Sequence, residues 1–359
     1  MDLFDSFIHI PFLYAKVTLV LVCIFIAYIL FNVGDRYARV PSKAFIYIIG
    51  FFVIWWIASR VVVFESYDDR ATYARHVMSA RWRSFPVFAF DGDFVFQVYV
   101  WVCGQFMSYQ AWFWLTAAIY VTNYARACFR MVGENAAVMF LLVLVSFGFT
   151  SYATNTLRAG LAASFFMLAV TYYHEPKKML ALLLTTIGIH FSMVIPTSML
   201  IISYYLDKTK LFLFVWLAFI ALSFVLGSTF ESFFASFTAA DRASGYLGAT
   251  SNVYKTGFRW DFLLFSSFPI IAGYYYKYKL NFDARFYNLL LNTYILTNAI
   301  WTLVIRVPFT DRFAYLSWFM MPFVFIFPLL RHKITASLDR QIWLIVLLLA
   351  GIKTLGYYI

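Results

Sequence analysis

The sequence predicts an all-α polytopic integral membrane protein with about twelve membrane segments, some of them short or broken, and no soluble domain. Of its 359 residues, 63% are hydrophobic and only 13% are charged, against about 25% charged in a typical soluble domain. Apolar runs recur along the whole chain, and Lys and Arg gather in the short connections between them. No internal repeat is evident, so we expect a single transmembrane domain over residues 1–359.

Composition also narrows the class of partner. A net charge of +11 would favour nucleic acid in a soluble protein, but here the charges lie at the ends of apolar runs, where topology and an anionic lipid-linked ligand account for them. Cys23, Cys103 and Cys128 have neither paired spacing nor a neighbouring histidine, so we expect no disulfide framework and no zinc site. Met1–Pro11 contains no Lys or Arg, so we predict that the first apolar run is kept as a membrane helix.

The clear apolar runs give the order of the membrane helices. A helix of about 20 apolar residues crosses the hydrocarbon core of a bilayer. Runs of this kind lie at Phe12–Phe31, Ala44–Phe64, Ala136–Ser151, Leu157–Tyr173, Leu211–Phe230, Phe262–Tyr276, Phe286–Ile305, Phe313–Leu330 and Gln341–Ile359.

Two further regions have interrupted apolar runs. The pattern breaks at Gly104–Tyr109, so Phe94–Met107 is predicted to be a short helix at membrane depth and Gln110–Asn123 to be the span after it. Met179–Leu206 has His190 near its centre and is predicted to form two short helices. We expect these two helices to form a hairpin with His190 near the outward tip.

The cationic connections orient the chain, because cytoplasmic loops carry an excess of Lys and Arg. With twelve segments and both termini outside, every cationic connection falls on the cytoplasmic side. Residues 65–93 and 231–261 then face outward. The cytoplasmic cations are Arg36, Arg39, Lys43, Arg126, Arg130, Lys177, Lys178, Lys208, Lys210, Lys277, Lys279, Arg285, Arg331, Lys333 and Arg340.

Arginine is almost the only cation on the predicted outer side. Topology gives no reason for this excess, whereas the planar guanidinium binds phosphate bidentately, so the pattern favours a pyrophosphate ligand. The alternative for each arginine is snorkelling to lipid headgroups or pairing with Asp68, Asp69, Asp261 or Asp311. The outer cations are Arg60, Arg70, Arg75, Arg81, Arg83, Arg158, Arg242, Arg259, Arg306, Arg312 and Lys255.

Four of these arginines lie at or within the ends of apolar runs. Arg60 lies four residues inside the second clear run, Arg158 lies at the start of the fourth, and Arg306 and Arg312 bracket a short turn. An ionisable group at such depth costs a few kcal/mol, so it usually faces a cavity or a partner. These four are therefore candidates to line a ligand site.

Outward arginines suit the transfer of a sugar from a polyprenyl pyrophosphate. An acceptor hydroxyl would attack the anomeric carbon and expel pyrophosphate, and fixed guanidinium groups would stabilise the charge on the leaving oxygens. This chemistry requires no metal or other cofactor. Asp91 and Asp93 have a metal-binding spacing but lie on the outer side, so we expect a metal-independent reaction.

A base near neutrality would help to deprotonate the acceptor hydroxyl. His190 is a candidate because it lies in the middle of a predicted membrane hairpin, although a core histidine bonded to a carbonyl is the alternative. Asp68 and Asp69 follow a span and could act as base or bind sugar hydroxyls, or form an ordinary surface pair. The outer segments also carry aromatic residues that suit either sugar stacking or a membrane-interface belt: Trp82, Phe85, Phe88, Tyr246, Tyr254 and Trp260.

Several short motifs, in order along most of the chain, resemble the EpsG-like family of Wzy-type polysaccharide polymerases. Tyr67–Tyr73 is similar to an early acidic motif, and Asn155–Ala162 looks like the Asn-x-x-Arg-x-x-x-Ala helix start of that family. Ile189–Ser192 resembles its His-x-Ser element and Gly257–Phe262 its Gly-x-Arg-x-Asp element. Asp311–Tyr315 resembles its late Arg-x-x-x-Tyr pattern.

The resemblance implies a polymerase that transfers a growing glycan onto the next lipid-linked repeat unit. It implies a multi-pass protein of the bacterial cytoplasmic membrane whose active site faces the periplasm. The substrate would be an undecaprenyl-pyrophosphate-linked oligosaccharide, and a chain-length regulator is a candidate partner. Taken with the depth of the arginines, it predicts Arg158, His190, Asp69 and Arg312 as catalytic residues and, as substrate-binding residues, Arg60, Asp68, Asn155, Arg259, Arg306 and Tyr315.

Other membrane functions remain as alternatives. An O-antigen ligase shares the lipid donor and an outward Arg and His. It usually has one large outer loop, whereas this chain has two outer segments of modest length. A lipid-linked oligosaccharide flippase would carry out no chemistry, and transporters often show internal repeats and charges along a path to both sides. A membrane acyltransferase fits less well, because it would favour a histidine presented to a cytoplasmic acyl donor.

Overall fold

All regular secondary structure in the described part of the chain is helical. The structure is a computed structural model that describes residues 42–64, 69–88, 92–237, 257–307 and 310–331. The predicted all-α fold class is therefore confirmed for these residues. The predicted segments Phe12–Phe31 and Gln341–Ile359, and the candidate residue Asp68, lie outside the described residues.

The described residues form two compact units. The first contains residues up to Met193 together with 329–331, and the second runs from Val194 to Pro328. Helices of the first unit are α1 (Ser42–Ala58), α2 (Asp69–Ser79), α3 (Phe94–Phe106), α4 (Tyr109–Val132), α5 (Ala136–Val145), α6 (Phe147–Thr154), α7 (Leu157–Val170) and α8 (Pro176–Ile189). Helices of the second unit are α9 (Val194–Tyr205), α10 (Thr209–Phe237), α11 (Trp260–Tyr278), α12 (Arg285–Leu303) and α13 (Thr310–Trp318), and α14 (Met321–Arg331) begins there.

Three helical stretches of the described chain are long and apolar enough to cross a membrane: Tyr109–Val145, Thr209–Gly227 and Thr310–Arg331. Shorter apolar helices occupy Lys43–Ala58, Phe94–Phe106, Leu157–Val170 and Phe191–Tyr205. The predicted Phe94–Met107 helix and the two-helix form of Met179–Leu206 are both present. These findings support a membrane-embedded helical protein, with fewer full-length spans among the described residues than the twelve segments that the apolar runs predict.

Breaks in the helical backbone interrupt three of the predicted apolar runs. Ser146 has an extended backbone and separates α5 from α6, so Ala136–Ser151 is not one helix. A turn separates α13 from α14, and Leu226 has non-helical backbone angles inside α10. Hydropathy does not reveal such breaks, since the residues around them remain apolar.

Helix α4 forms the centre of the first unit and packs against α1 and α7. Its start is capped by the Ser108 hydroxyl, which accepts a hydrogen bond from the Ala111 amide at 3.2 Å, and its end is followed by Gly133 with φ of 58°. Helix α4 extends well beyond the predicted Gln110–Asn123. Helix α8 starts with Pro176, whose missing amide hydrogen costs nothing there, and packs against both α3 and α7.

Helix α12 is the centre of the second unit and is almost wholly buried between α9 and α10. Its Asn298 side chain forms hydrogen bonds to two neighbouring helices. The Trp216 indole donates to Asn298 at 2.8 Å, and the Asn298 amide donates to the Ser317 hydroxyl at 3.2 Å. In an apolar environment these hydrogen bonds hold the neighbouring helices in one register.

Candidate active site

The most developed polar site in the first unit is built around Asp93. This residue directly precedes α3 and is 3% exposed. Arg158, the second residue of α7, donates from Nη1 to Asp93 Oδ2 in a close ion pair. A buried carboxylate requires such a partner, because desolvation of an isolated charge costs several kcal/mol.

The second oxygen of Asp93 faces the break after α8. Asp93 Oδ1 accepts a hydrogen bond from the Phe191 amide at 2.8 Å and lies 3.7 Å from His190 Nδ1. The separation from His190 exceeds hydrogen-bond length, so this contact is electrostatic. Burial raises the pKa of the Asp93 carboxyl, but His190, the Arg158 guanidinium and the Phe191 amide together lower it by more, so its pKa lies below the ordinary value.

Tyr73 of α2 completes the group. Its hydroxyl accepts a hydrogen bond from Arg158 Nε at 3.3 Å, and its ring packs edge-on against Phe96 of α3 at 5.7 Å between centroids. The guanidinium therefore donates hydrogen bonds to α2 and to the residue that precedes α3. We name Tyr73, Asp93, Arg158 and His190 the Asp93 cluster.

Two close helix contacts place the members of the Asp93 cluster. Gly188 of α8 lies against Val95 of α3, and a β-carbon at Gly188 would come within 3.0 Å of Val95 Cβ. This contact brings the end of α8, and with it His190, to the start of α3. Gly160 of α7 lies against Tyr152, and a β-carbon there would be 2.5 Å from the Tyr152 carbonyl oxygen. Glycine is required at both positions for the helices to approach so closely.

The stretch before Asp93 is fixed to α3 by its own contacts. The Trp101 indole of α3 donates to the Arg83 carbonyl at 3.0 Å, and Phe85 packs edge-on against the Trp101 ring at 5.1 Å. Phe88 packs in the same way against Phe94 at 5.3 Å. These contacts hold residues 83–88 along α3 up to the last described residue before the gap at 89–91.

Three of the predicted outer arginines have structural contacts in place of a ligand. Arg70 is 1% exposed and donates to the carbonyls of Ile57 at 3.2 Å and Ala58 at 2.8 Å, which are the last two residues of α1. Arg75 donates to the Phe64 carbonyl at 2.8 Å, and Arg81 to the Gly104 carbonyl at 3.2 Å. A ligand is therefore not needed to explain these three, and the count of outer arginines alone overstates the case for a pyrophosphate.

The remaining candidates of the first unit lie near the Asp93 cluster or at helix ends. Asp69 is the exposed first residue of α2 and acts electrostatically on both Tyr73 and Arg158. Asn155 is exposed and ends α6, three residues before Arg158. The Arg60 carbonyl accepts a hydrogen bond from Arg70 Nη2 at 3.0 Å. Asp69 therefore lies within electrostatic range of Arg158.

The other candidates lie in the second unit. Arg259 forms a bidentate pair with Asp261, at 2.9 and 2.6 Å, and its guanidinium lies 3.6 Å from the centre of the Phe262 ring. The structure thus shows for Arg259 the carboxylate partner that the sequence offered as the alternative to a ligand. Arg312 is exposed, and both Arg312 and Arg259 act electrostatically on Asp311.

Arg306 fills the kink of α10. Its Nη2 donates to the Phe224 carbonyl at 3.1 Å, and Gly227 leaves room for its side chain, since a β-carbon there would lie 2.7 Å from Arg306 Cδ. The guanidinium is also 5.7 Å from the Phe258 ring centre. Tyr315 packs edge-on against Trp318 at 5.4 Å. Arg306 therefore stabilises a break in a helix, whatever else it binds.

Sequence reasoning missed Asp93 as a site residue. From the sequence, Asp93 was mentioned only because its two-residue spacing from Asp91 is one that metal-binding carboxylates show. The available signal was its position directly before an apolar helix, where an unpaired carboxylate would be costly. Tyr73 was part of a recognised motif but was likewise not assigned to the site.

The described residues contain no group of three or more His, Cys, Asp or Glu side chains placed to hold a metal ion. The Asp93 cluster offers one carboxylate and one imidazole, and a guanidinium occupies the second carboxylate oxygen. Metal independence of the reaction stays a prediction.

Comparison with known proteins identifies one family. The model of the EpsG family matches residues 43–358, which includes nearly all of both units. No curated protein and no solved structure gives a significant match to the chain.

Proposed function

This chain belongs to the EpsG family, and from that premise we propose that it is a Wzy-type polysaccharide polymerase that uses a polyprenyl-pyrophosphate-linked glycan as its donor. Membership gives the protein a role in polysaccharide biosynthesis within a membrane, with glycosyltransferase-like polymerase activity. The finer proposal depends on one observation: Arg158 and His190 both lie against the buried carboxylate of Asp93.

In the proposed reaction the donor is the growing glycan, linked through its anomeric carbon to the diphosphate of the lipid. A hydroxyl of the next lipid-linked repeat unit attacks that carbon, the new glycosidic bond forms, and the bond from the carbon to the diphosphate oxygen breaks. The electron pair of that bond leaves with the polyprenyl diphosphate. The products are an elongated glycan on the acceptor lipid and one free polyprenyl diphosphate.

Arg158 is the residue that we assign to the leaving diphosphate. It lies at the start of α7, is one-third exposed, and is held from two sides by Asp93 and Tyr73. A guanidinium that is already in place when the diphosphate binds stabilises the charge that develops on the leaving oxygens. Its planar fork matches two phosphate oxygens at once, which an ammonium does not.

His190 is the residue that we assign to the acceptor proton. It is partly exposed and lies at the break between α8 and the following turn, with Nδ1 toward Asp93. The carboxylate favours the imidazolium that forms when the other ring nitrogen takes the hydroxyl proton. Asp69 is exposed at the start of α2. We assign it as a second catalytic carboxylate, which also binds sugar hydroxyls.

We further propose substrate contacts for the residues that the family motifs and the depth argument single out. In the first unit these are Arg60 and Asn155. In the second unit they are Arg306 and Tyr315, together with Arg259 and Arg312, which share the electrostatic environment of Asp311. The pairing of Arg259 with Asp261 means that a phosphate would have to compete with a carboxylate for it.

The cellular setting of the proposal follows from its chemistry and from the cationic connections. The protein would lie in the bacterial cytoplasmic membrane with the Asp93 cluster facing the periplasm, and its donor would be undecaprenyl-pyrophosphate-linked oligosaccharide. A chain-length regulator is the partner that a polymerase of this kind would use. The reaction needs no metal, so chelators are expected to leave its rate unchanged.

The decisive experiment supplies purified protein with a synthetic lipid-linked repeat unit and resolves the products by mass spectrometry. A polymerase yields a ladder of products that differ by one repeat unit, with free polyprenyl diphosphate. An O-antigen ligase would transfer the glycan only when a different, lipid A-like acceptor is added, and a flippase would yield no new covalent product. An unchanged substrate in both conditions would rule out the proposed chemistry.

A further inference from the structure

The Asp93 carboxylate faces two cations that the proposed reaction uses for different tasks. Arg158 contacts Oδ2, whereas His190 lies 3.7 Å from Oδ1. We propose that Asp93 is a positioning residue shared between Arg158 and His190, and that a diphosphate which binds Arg158 releases the carboxylate to His190. This inference rests on the proposed function and adds an order of events to it.

A diphosphate that binds Arg158 bidentately competes with the protein contacts that the guanidinium already makes. Nη1 donates to Asp93 and Nε donates to the Tyr73 hydroxyl, while Nη2 makes no hydrogen bond within the described residues. Each edge of the fork that could hold two phosphate oxygens includes Nη2 and one of the two nitrogens that already donate. On the Nε–Nη2 edge a diphosphate competes with Tyr73 for the single Nε hydrogen. On the Nη1–Nη2 edge it uses the second Nη1 hydrogen and lies next to Asp93.

Of the two, Asp93 is the contact with charge, and a dianionic ligand next to it is repelled. Loss of the Arg158 contact would leave a carboxylate that is 3% exposed without its strongest counter-charge. Asp93 cannot turn to solvent, because the Phe191 amide holds its Oδ1 at 2.8 Å. The imidazole of His190, adjacent to Phe191 in the chain, is a second ionisable group beside the carboxylate.

The exchange gives the two reaction steps their order. Without substrate, the charges of Arg158 and Asp93 neutralise each other, and the interaction between the carboxylate and His190 is weak. Once the diphosphate takes Arg158, the carboxylate favours a proton on His190, so the imidazole becomes a better acceptor for the hydroxyl proton. The base is then strongest when the leaving group is already bound, which limits reaction with water in the empty site.

Inorganic pyrophosphate is the probe for a direct test, with the full-length purified protein in lipid nanodiscs. Asp93→Asn removes the competitor for Arg158 but keeps the shape, so pyrophosphate should bind about tenfold more tightly by calorimetry. Turnover of the lipid-linked repeat unit by the same variant should fall strongly, because His190 loses its carboxylate. A merely structural role of Asp93 would weaken both, and that result would overturn the inference.

A matched control and a second variant keep the test decisive. Glu175→Gln removes a carboxylate that pairs with Arg130 and Lys178 elsewhere in the first unit, and it should change neither quantity. If Asp93→Asn does not fold, His190→Gln provides the reciprocal test. It removes the imidazole that competes with Arg158 for Asp93, so pyrophosphate should bind several-fold more weakly. Unchanged or tighter binding would contradict the shared carboxylate.

Arg158→Ala separates this inference from the proposed function. Loss of pyrophosphate binding in that variant, together with tighter binding in Asp93→Asn, supports both. Undiminished binding in Arg158→Ala would overturn the assignment of Arg158 to the diphosphate. Weaker binding in both variants would retain that assignment and overturn only the exchange at Asp93.

Discussion

Gly188 of α8 and Val95 of α3 are in such close contact that a β-carbon at Gly188 would come within 3.0 Å of Val95 Cβ. Val95 is two residues after Asp93, and Gly188 is two residues before His190. The contact between these helices therefore sets the distance between the carboxylate and the imidazole of the Asp93 cluster.

We expect Gly188→Ala to separate α8 from α3 and to reduce polymerisation by about tenfold or more, since misplacement of a catalytic group by about 1 Å can cost a hundredfold. The measurement is the rate of repeat-unit consumption by purified protein. Gly50→Ala is the control, because its β-carbon would meet only Val121 at 3.7 Å, an ordinary contact. Equal rates for the two variants would show that the spacing at Gly188 is unimportant.

Arg70 should matter for stability and not for chemistry. Its buried guanidinium donates to the carbonyls that end α1 and lies 3.9 Å from the centre of the Phe113 ring. Arg70→Ala should lower the free energy of unfolding by about 2–4 kcal/mol, through the loss of charge-assisted hydrogen bonds and a cation–π contact. Thermal unfolding in detergent measures this, and exposed Arg75→Ala, which loses one such bond, should cost much less. Equal losses for Arg70 and Arg75 would contradict the capping role.

The pH dependence of stability follows from Asp93. Its pKa is lower in the folded protein than its ordinary value, so its stabilising contribution is present above about pH 4 and is lost as the pH falls through the depressed value. Wild type should therefore have a higher unfolding midpoint than Asp93→Asn at pH 5 and at pH 7, both values well above about 4. The two curves should converge in stronger acid. Convergence already near neutral pH would mean that the carboxylate is not stabilised by its partners.

The sequence was sufficient to predict much of the fold and part of the candidate site. The all-α class followed from apolar runs, and His190 was correctly placed at a break between two short helices. Arg158 and His190, predicted separately, lie against the same carboxylate. Whether they act in catalysis remains a prediction.

Other features were not predictable for identifiable physical reasons. Ser146 breaks an apolar run in which the residues on both sides remain apolar, so hydropathy does not reveal the break. Arg70 could not be told from Arg158 by residue type or position, since only tertiary contacts decide whether a guanidinium meets a carbonyl or a carboxylate. Asp93 is distant in sequence from both of its partners, so its role is visible only after folding.

Replacement of Arg158 by lysine tests whether the guanidinium fork is required. Arg158→Lys retains the charge but cannot hold two phosphate oxygens in one plane, nor contact Asp93 and Tyr73 together, so we expect at least about a hundredfold loss of polymerisation. The variant should still unfold near the wild-type temperature, since a cation remains beside Asp93. Full activity with lysine would show that charge alone is sufficient.

The most direct test of the Asp93 cluster as a polymerising site is a product analysis by mass spectrometry, with wild type and Arg158→Ala in parallel. Wild-type protein given a synthetic lipid-linked repeat unit should produce a ladder of longer glycans and one free polyprenyl diphosphate for each unit added. Arg158→Ala should produce neither, although a thermal unfolding measurement should show that this variant is folded. A normal ladder from Arg158→Ala would contradict the assignment of the reaction to this cluster.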